Sequence, residues 1–381
     1  MKKHRVTFLS RHLFTRGGLE KWTRRLAEGF ARSGAEVTIL TSDTPEKKST
    51  SLPFHVESLK TRMPLRTLKL NQFDKQVKAW TEKRPADIVF GMDRTRSQTH
   101  IRAGNGVHAA YLEKRKEFEN YTPFKQRLNP LNQTILHIEK TAFEDPELKV
   151  LFTNSHSVKE EILSHYNVSP NKIEVIHNGV EWHEMESDFM SWHTSKQTLC
   201  SSFCFDPSVF HFLFVGNGYE RKGLSKLLSA LATLKNRSFH LSVVGKDKNI
   251  GAYKKRAASL GLEKKVHFFG PQKHIRPFYQ LADALIIPSY YDPFANVTVE
   301  ALAMGVFVIS SKHNGGSEVL TQESGRVIED LLSIDSFTTS LEKALDRPKT
   351  KQSATKIRQS VRTLDISNQI ETYINRSFAV L

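Results

Sequence analysis

Short apolar runs alternate with longer stretches of helical spacing along most of the chain. Val6-Thr7-Phe8-Leu9-Ser10, Val37-Thr38-Ile39-Leu40, Ile88-Val89-Phe90-Gly91, Val150-Leu151-Phe152-Thr153 and Ile173-Glu174-Val175-Ile176 read as buried strands in the first half. Between the first two, Leu19, Trp22, Leu26 and Phe30 recur at helical spacing, and Gly34 ends that helix. A second helix is expected over about Leu70 to Lys83, and Ser155 or Ser157 caps another. Periodicity weakens from Glu181 to Pro207, which places a connection there. A second series follows: Phe212 to Gly216, Leu241 to Gly245, Val266 to Gly270, Ala284 to Ser289 and Val306 to Ser310. Strands alternating with helices give parallel sheets covered on both faces. The pattern therefore predicts an α/β protein of two facing, doubly wound, Rossmann-like domains with a cleft between them. Their bounds are 1–180 and 208–352, joined by 181–207, with 353–381 a terminal helix packing back toward the first domain.

Bulk composition narrows the class. A chain of 381 residues with 39% hydrophobic and 25% charged positions can bury two ordinary cores. No apolar stretch approaches the ~20 residues that span a bilayer. The N-terminal apolar run is too short for a signal peptide and reads as a strand. Cys200 and Cys204, with no second pair, read as free thiols in a reducing cytosol. Lys plus Arg number 56 against 40 Asp plus Glu, a net charge of +16, which calls for an anionic partner. No nucleic-acid motif accompanies the charge.

The chemistry concentrates at carboxyl ends of predicted strands, where open parallel sheets build ligand sites. Asp292 lies on a loop after one such strand and Glu300 on the helix that follows, with seven residues between them. A carboxylate can accept two hydrogen bonds from a vicinal diol, the group that ribose and hexoses present. Earlier, Val215-Gly216-Asn217-Gly218-Tyr219-Glu220-Arg221-Lys222-Gly223 follows a strand and opens a helix. Glycines, two cations and a helix start together suit a diphosphate. Gly17-Gly18 before the first helix, and Gly315-Gly316 after the last apolar strand, can present backbone N–H groups to sugar or phosphate. His108 follows the turn Gly104-Asn105-Gly106 and can hydrogen-bond a hydroxyl. The glycine spacing is not the G-x-G-x-x-G of nicotinamide-binding domains. No D-x-D pair or metal-ligand histidine spacing is present.

Four of these features occur in one order: Gly17-Gly18, the Val175-Ile176-His177-Asn178-Gly179-Val180 turn, Arg221-Lys222-Gly223, and Asp292 to Gly305. Together they resemble the retaining family 4 glycosyltransferases of the GT-B fold, with Asp292 in place of the first Glu of E-x7-E. Within that family they are similar to the glucosyltransferases of lipopolysaccharide core assembly. The resemblance implies an N-terminal acceptor-binding domain and a C-terminal domain binding a nucleotide sugar, most simply UDP-glucose. It implies that Arg221 and Lys222 hold the donor diphosphate, with Asn217 where most members have an arginine. Asp292 and His108 would contact the hexose, Glu300 the ribose diol, and Asn296, Gly17, Gly18, Gly315 and Gly316 the substrate. No metal and no cofactor beyond the donor is implied, and the anomeric configuration is retained. The basic N-terminal half, with Arg62, Arg66, Lys69, Lys75, Lys78, Lys83 and Arg84 and an aromatic-basic stretch over Tyr111 to Arg127, suggests a cytoplasmic enzyme peripheral on an anionic membrane with a glycan or glycolipid acceptor. Rival readings are a nucleotide-sugar epimerase of the same fold and a basic anion- or nucleic-acid-binding protein without catalysis.

Overall fold

The computed structural model describes residues 3–14, 17–44, 52–119, 128–234 and 236–381. Within the aromatic-basic stretch, residues 120–127 lie outside this set. The chain divides into two units, Met1–His177 with Ser367–Leu381, and Asn178–Ile366.

The first unit is built on β1 (Arg5–Leu9), β2 (Glu36–Thr41), β3 (His55–Ser58), β4 (Ile88–Gly91), β5 (His100–Arg102), β6 (Val150–Thr153) and β7 (Ile173–Val175). Their order is β3-β2-β1-β4-β5-β6-β7, with every pairing parallel. The chain winds outward from β1 to β3, returns to β4 beside β1, and winds the other way. Phe8 of β1 stacks on Phe90 of the neighbouring β4 at 5.3 Å, and Phe90 on Phe152 of β6, one strand further on, at 5.8 Å. The helix Gly18–Arg32 buries Trp22, Leu26 and Phe30 on this sheet, and Gly34 follows it at φ 93°. The helix Ile366–Phe378 lays Tyr373 against Phe152 at 4.8 Å and Trp22 at 5.7 Å. Its Ile370 is so close to Gly29 that a Cβ there would sit 2.3 Å from Ile370 Cγ2. Gly29→Val is therefore expected to lower unfolding free energy by ~1–3 kcal/mol, read as a smaller urea midpoint at unchanged slope.

The second unit is built on β8 (Phe210–Val215), β9 (Phe239–Val244), β10 (Val266–Gly270), β11 (Ala284–Ile287), β12 (Phe307–Ser311) and β13 (Gly325–Ile328). The order β10-β9-β8-β11-β12-β13 is again all parallel. Winding reverses between β8 and β11. Strands buried on both faces explain why the apolar runs are continuous rather than alternating.

Two expectations change. Residues 181–207 are no bare connection: they carry the helices Glu186–Met190 and Trp192–Phe203 and belong to the second unit. These helices bury only Phe189, Trp192 and Cys200, too few positions to show a period. Polar contacts hold them instead, with Arg276 donating to Asp188 at 2.7 Å and Lys196 to both oxygens of buried Asp283 at 2.8 Å. The terminal segment is two helices, Lys351–Ser360 and Ile366–Phe378, and only the second lies in the first unit.

Candidate functional site

Beside the point where an open parallel sheet reverses its winding, loops at the carboxyl ends of the strands form a crevice for ligands. In the second unit these are the loops after β8 and β11. The β8 loop makes two left-handed turns, Gly218 at φ 72° and Gly223 at φ 76°. A Cβ on Gly223 would lie 2.0 Å from the Pro288 carbonyl oxygen, so the two loops touch through a bare glycine. This contact places Arg221 and Lys222 against the β11 loop, just before the helix Leu224–Thr233.

There the Lys222 ammonium donates to Oδ2 of Asp292. Arg221 Nη1 approaches the same oxygen at 3.3 Å and donates to the Tyr291 carbonyl at 2.8 Å. Burial pushes the Asp292 carboxyl up, but the Lys222 and Arg221 charges outweigh it and hold it below the ordinary carboxylate range. Both cations engage Oδ2 of Asp292, and Oδ1 has no hydrogen bond among the described residues.

A third loop, after β12, fixes this arrangement. Asp292 donates its N–H to the His313 carbonyl at 3.0 Å and accepts from Gly315 N–H at 2.9 Å. Asn314 is fully buried and uses its whole amide: Oδ1 accepts from Ala295 and Gly316 at 2.9 and 3.1 Å, and Nδ2 donates to Thr298 and Ser310 at 3.2 and 2.9 Å. Gly315 and Gly316 thus direct their N–H groups to the protein, which corrects the expectation that these groups face sugar or phosphate. Gly316 is needed for closeness, since a Cβ would lie 2.6 Å from Thr298 Oγ1.

On the helix Asn296–Ala303, Glu300 Oε2 accepts from the Tyr279 hydroxyl at 2.8 Å. Burial first, then the Glu300 charge, drives the Tyr279 phenol far above its usual range, so it remains a donor and orients the carboxylate. Asn296 is exposed at the start of this helix and accepts from Asn178 at 2.7 Å. Asn217 commits its side-chain oxygen to Lys246 N–H at 2.7 Å, bracing the β8 loop against the loop after β9. It is a strut rather than a replacement for an arginine. Tyr219 does likewise, donating its N–H to Asp247 at 2.7 Å and its hydroxyl to the Gly245 carbonyl at 3.0 Å.

The first unit repeats the device at its own reversal. Arg11, after β1, pairs with Asp93, after β4, at 2.9 Å. Burial raises the Asp93 carboxyl and Arg11 more than offsets this. Asp43, after β2, accepts from Leu13 and Phe14 N–H at 2.7 and 3.0 Å and shapes the same loop. Gly17 caps the helix Gly18–Arg32 with extended backbone, and both glycines are exposed. His108 opens the helix His108–Glu119; its N–H donates to both oxygens of Glu139 at 3.0 and 2.9 Å, and its ring meets Asn132 at 3.1 Å. Burial, reinforced by Arg94, lowers the imidazole to about 4. Glu139 is buried and also accepts from Tyr166 at 2.9 Å. Arg11 and Glu139 were invisible in the sequence because each gains its meaning from a partner distant in the chain.

A family model for group 1 glycosyl transferases matches residues 205–361, and one for glycosyltransferase family 4 matches 16–183. The chain belongs to the GT-B glycosyltransferases. This glycosyltransferase is 23% identical over 348 residues to the lipopolysaccharide glucosyltransferase WaaG of Escherichia coli (strain K12), covering 89% of each chain. It is 31% identical to an uncharacterized glycosyltransferase of Methanocaldococcus jannaschii over 176 residues, 45% of either length, so that match spans less than half of that relative. The fold agrees with the crystal structure of WaaG at a TM-score of 0.77 and 21% identity, over 97% of this chain and 99% of that one. It also agrees with Anabaena Alr3699/HepE in complex with UDP-glucose, at 0.71 and 15% identity over 99% and 100% of the two chains. The glycosyltransferase therefore carries Arg221, Lys222, Asp292 and Glu300 in the part matched by the group 1 model.

Proposed function

We propose that this glycosyltransferase moves a hexose from UDP-glucose or a similar nucleotide sugar to a glycan or lipid-linked acceptor of the cell envelope, the lipopolysaccharide core being the leading class. The convergence of Arg221 and Lys222 on Asp292 at the β8/β11 reversal carries this reading. Two cations beside a helix N-terminus suit a diphosphate and stabilise the charge that grows on a departing nucleotide. Glu300, aimed by Tyr279, suits a ribose diol. The free oxygen of Asp292 suits a hexose hydroxyl, and the leaving phosphate would take the acceptor proton, with retained configuration. Because protein cations stand where a metal would serve, transfer is expected to persist in chelator. WaaG is a lipopolysaccharide glucosyltransferase by name, and HepE binds UDP-glucose, which supports the donor and acceptor classes. The excess of cations supports a peripheral position on the cytoplasmic face of an anionic membrane.

Calorimetric titration with UDP, GDP, ADP and NAD in chelator tests the donor site. Micromolar binding of one nucleoside diphosphate is expected; binding of none, or of NAD alone, removes Arg221, Lys222 and Glu300 from donor binding. The anomer formed, read by NMR, tests retention. His108→Ala is expected to lower turnover about tenfold or more with unchanged UDP affinity, as for a group positioned toward the transferred sugar. Since its imidazole titrates at about 4, the deficit is constant from neutral pH down to roughly pH 5. An unchanged rate returns His108 to a structural tie with Glu139 and Asn132.

A further inference from the structure

The segment that follows β3 combines two properties that a soluble surface seldom joins. Met63, Leu65 and Leu68 are 42%, 61% and 42% exposed, a cluster of large apolar side chains turned to solvent. Lys60, Arg62, Arg66 and Lys69 are interleaved with them, and no acidic residue occurs between Glu57 and Asp74. Asp74 itself is taken by Arg96 at 2.7 Å.

The segment is preformed. Its backbone is pinned to the helix Arg66–Lys83 by Gln72, which accepts from Arg62 N–H at 3.0 Å, and by Gln76, which donates to the Lys60 carbonyl at 3.2 Å. The other face of that helix is anchored in the core through Leu70, Phe73 and Val77. Adjoining the segment is an open pocket of about 590 Å³ whose rim includes Lys60, Arg62, Lys83 and Arg84 and whose wall includes Trp80. The Arg84 guanidinium lies 5.0 Å over the Trp80 ring, and the buried indole N–H finds no acceptor among the described residues. Four cations around one hollow match a phosphate group. Apolar side chains beside it match what lies directly beneath phosphates in a bilayer.

We propose that Lys60 to Lys69, with the Trp80 pocket, is the element by which this chain seats on an anionic lipid bilayer. Met63, Leu65 and Leu68 enter the acyl boundary while Lys60, Arg62, Lys83 and Arg84 engage a headgroup phosphate. The proposal rests on the peripheral position inferred above and adds the residues and the mode: insertion as well as charge. A purely electrostatic surface does not need exposed leucines.

The test is co-sedimentation of the full chain with vesicles of phosphatidylcholine alone and with added phosphatidylglycerol. Three proteins are compared: the native chain, Met63→Ser/Leu65→Ser/Leu68→Ser, and Lys60→Gln/Arg62→Gln/Lys83→Gln/Arg84→Gln. UDP affinity of each serves as the check on folding. The native chain is expected to bind only the anionic vesicles. The serine variant should lose at least about tenfold in partitioning, and the glutamine variant about fivefold per charge removed. Equal binding by the native chain and the serine variant overturns insertion while leaving a peripheral enzyme. Equal binding by the native chain and the glutamine variant overturns the headgroup pocket. Binding of the native chain to neither vesicle overturns the element and the peripheral position together. The UDP result stands apart from all three, so failure in sedimentation leaves the donor reading intact.

Discussion

Replacing Lys222 by alanine is expected to lower kcat/KM by about 10²–10³-fold, the usual loss when one donor aimed at developing charge is removed. UDP affinity should fall with it, since the diphosphate loses a charge-assisted hydrogen bond. A second effect is superimposed. Lys222 and Asp292 are each only 11% exposed at the side chain, so the substitution leaves a buried carboxylate with Arg221 alone at 3.3 Å. Breaking a buried pair from one side costs ~3–5 kcal/mol. Adding Asp292→Asn removes the stranded charge, so the double variant should regain stability but not rate. Thermal melting of the single and double variants, with kinetics and UDP affinity of both and of Asp292→Asn alone, separates the two effects. Recovery of rate in the double variant would mean that Lys222 serves the fold alone.

The second large effect is expected at Gly223. Its φ of 76° costs a side chain ~1–2 kcal/mol. The added Cβ would also strike the Pro288 carbonyl at 2.0 Å, on backbone that cannot step aside. Gly223→Ala should therefore destabilise by roughly 3 kcal/mol or more and abolish nucleotide binding, because the β8 and β11 loops must part. Gly218→Ala is the matched control. It has nearly the same φ, 72°, but no atom within 4 Å of the new Cβ. It should show the backbone cost alone. Equal losses at the two positions would show that contact between the loops does not matter.

Much of this architecture was legible in the apolar runs, because strands covered on both faces must be apolar throughout. β5 escaped notice for the opposite reason. His100-Ile101-Arg102 is a buried strand whose outer residues are titratable. His100 is satisfied by Thr99 at 2.9 Å and the Ser377 carbonyl at 3.2 Å, and Arg102 lies 5.1 Å over Trp22. Ser377 and Trp22 are distant in sequence, so polarity there reads as surface. β3 and β13 are edge strands, half-buried for the most part and without a strong pattern. In the site, Arg221, Lys222, Asp292 and Glu300 stood out because function places unusual residues at strand ends. The groups that hold them, Asn314 and Tyr279, look ordinary until their hydrogen bonds are counted.

The pairing of Lys222 and Arg221 with Asp292 has a bearing on selectivity. Any anion arriving at these cations meets a carboxylate already in place. Free phosphate would exchange one partner for another and gain little, while losing its own hydration. A nucleoside diphosphate would succeed because its second phosphate, its ribose and its base add contacts that no simple anion offers. The resident carboxylate would then act as a competitor that every visitor must displace, keeping the crevice empty of salt and ready for a sugar donor.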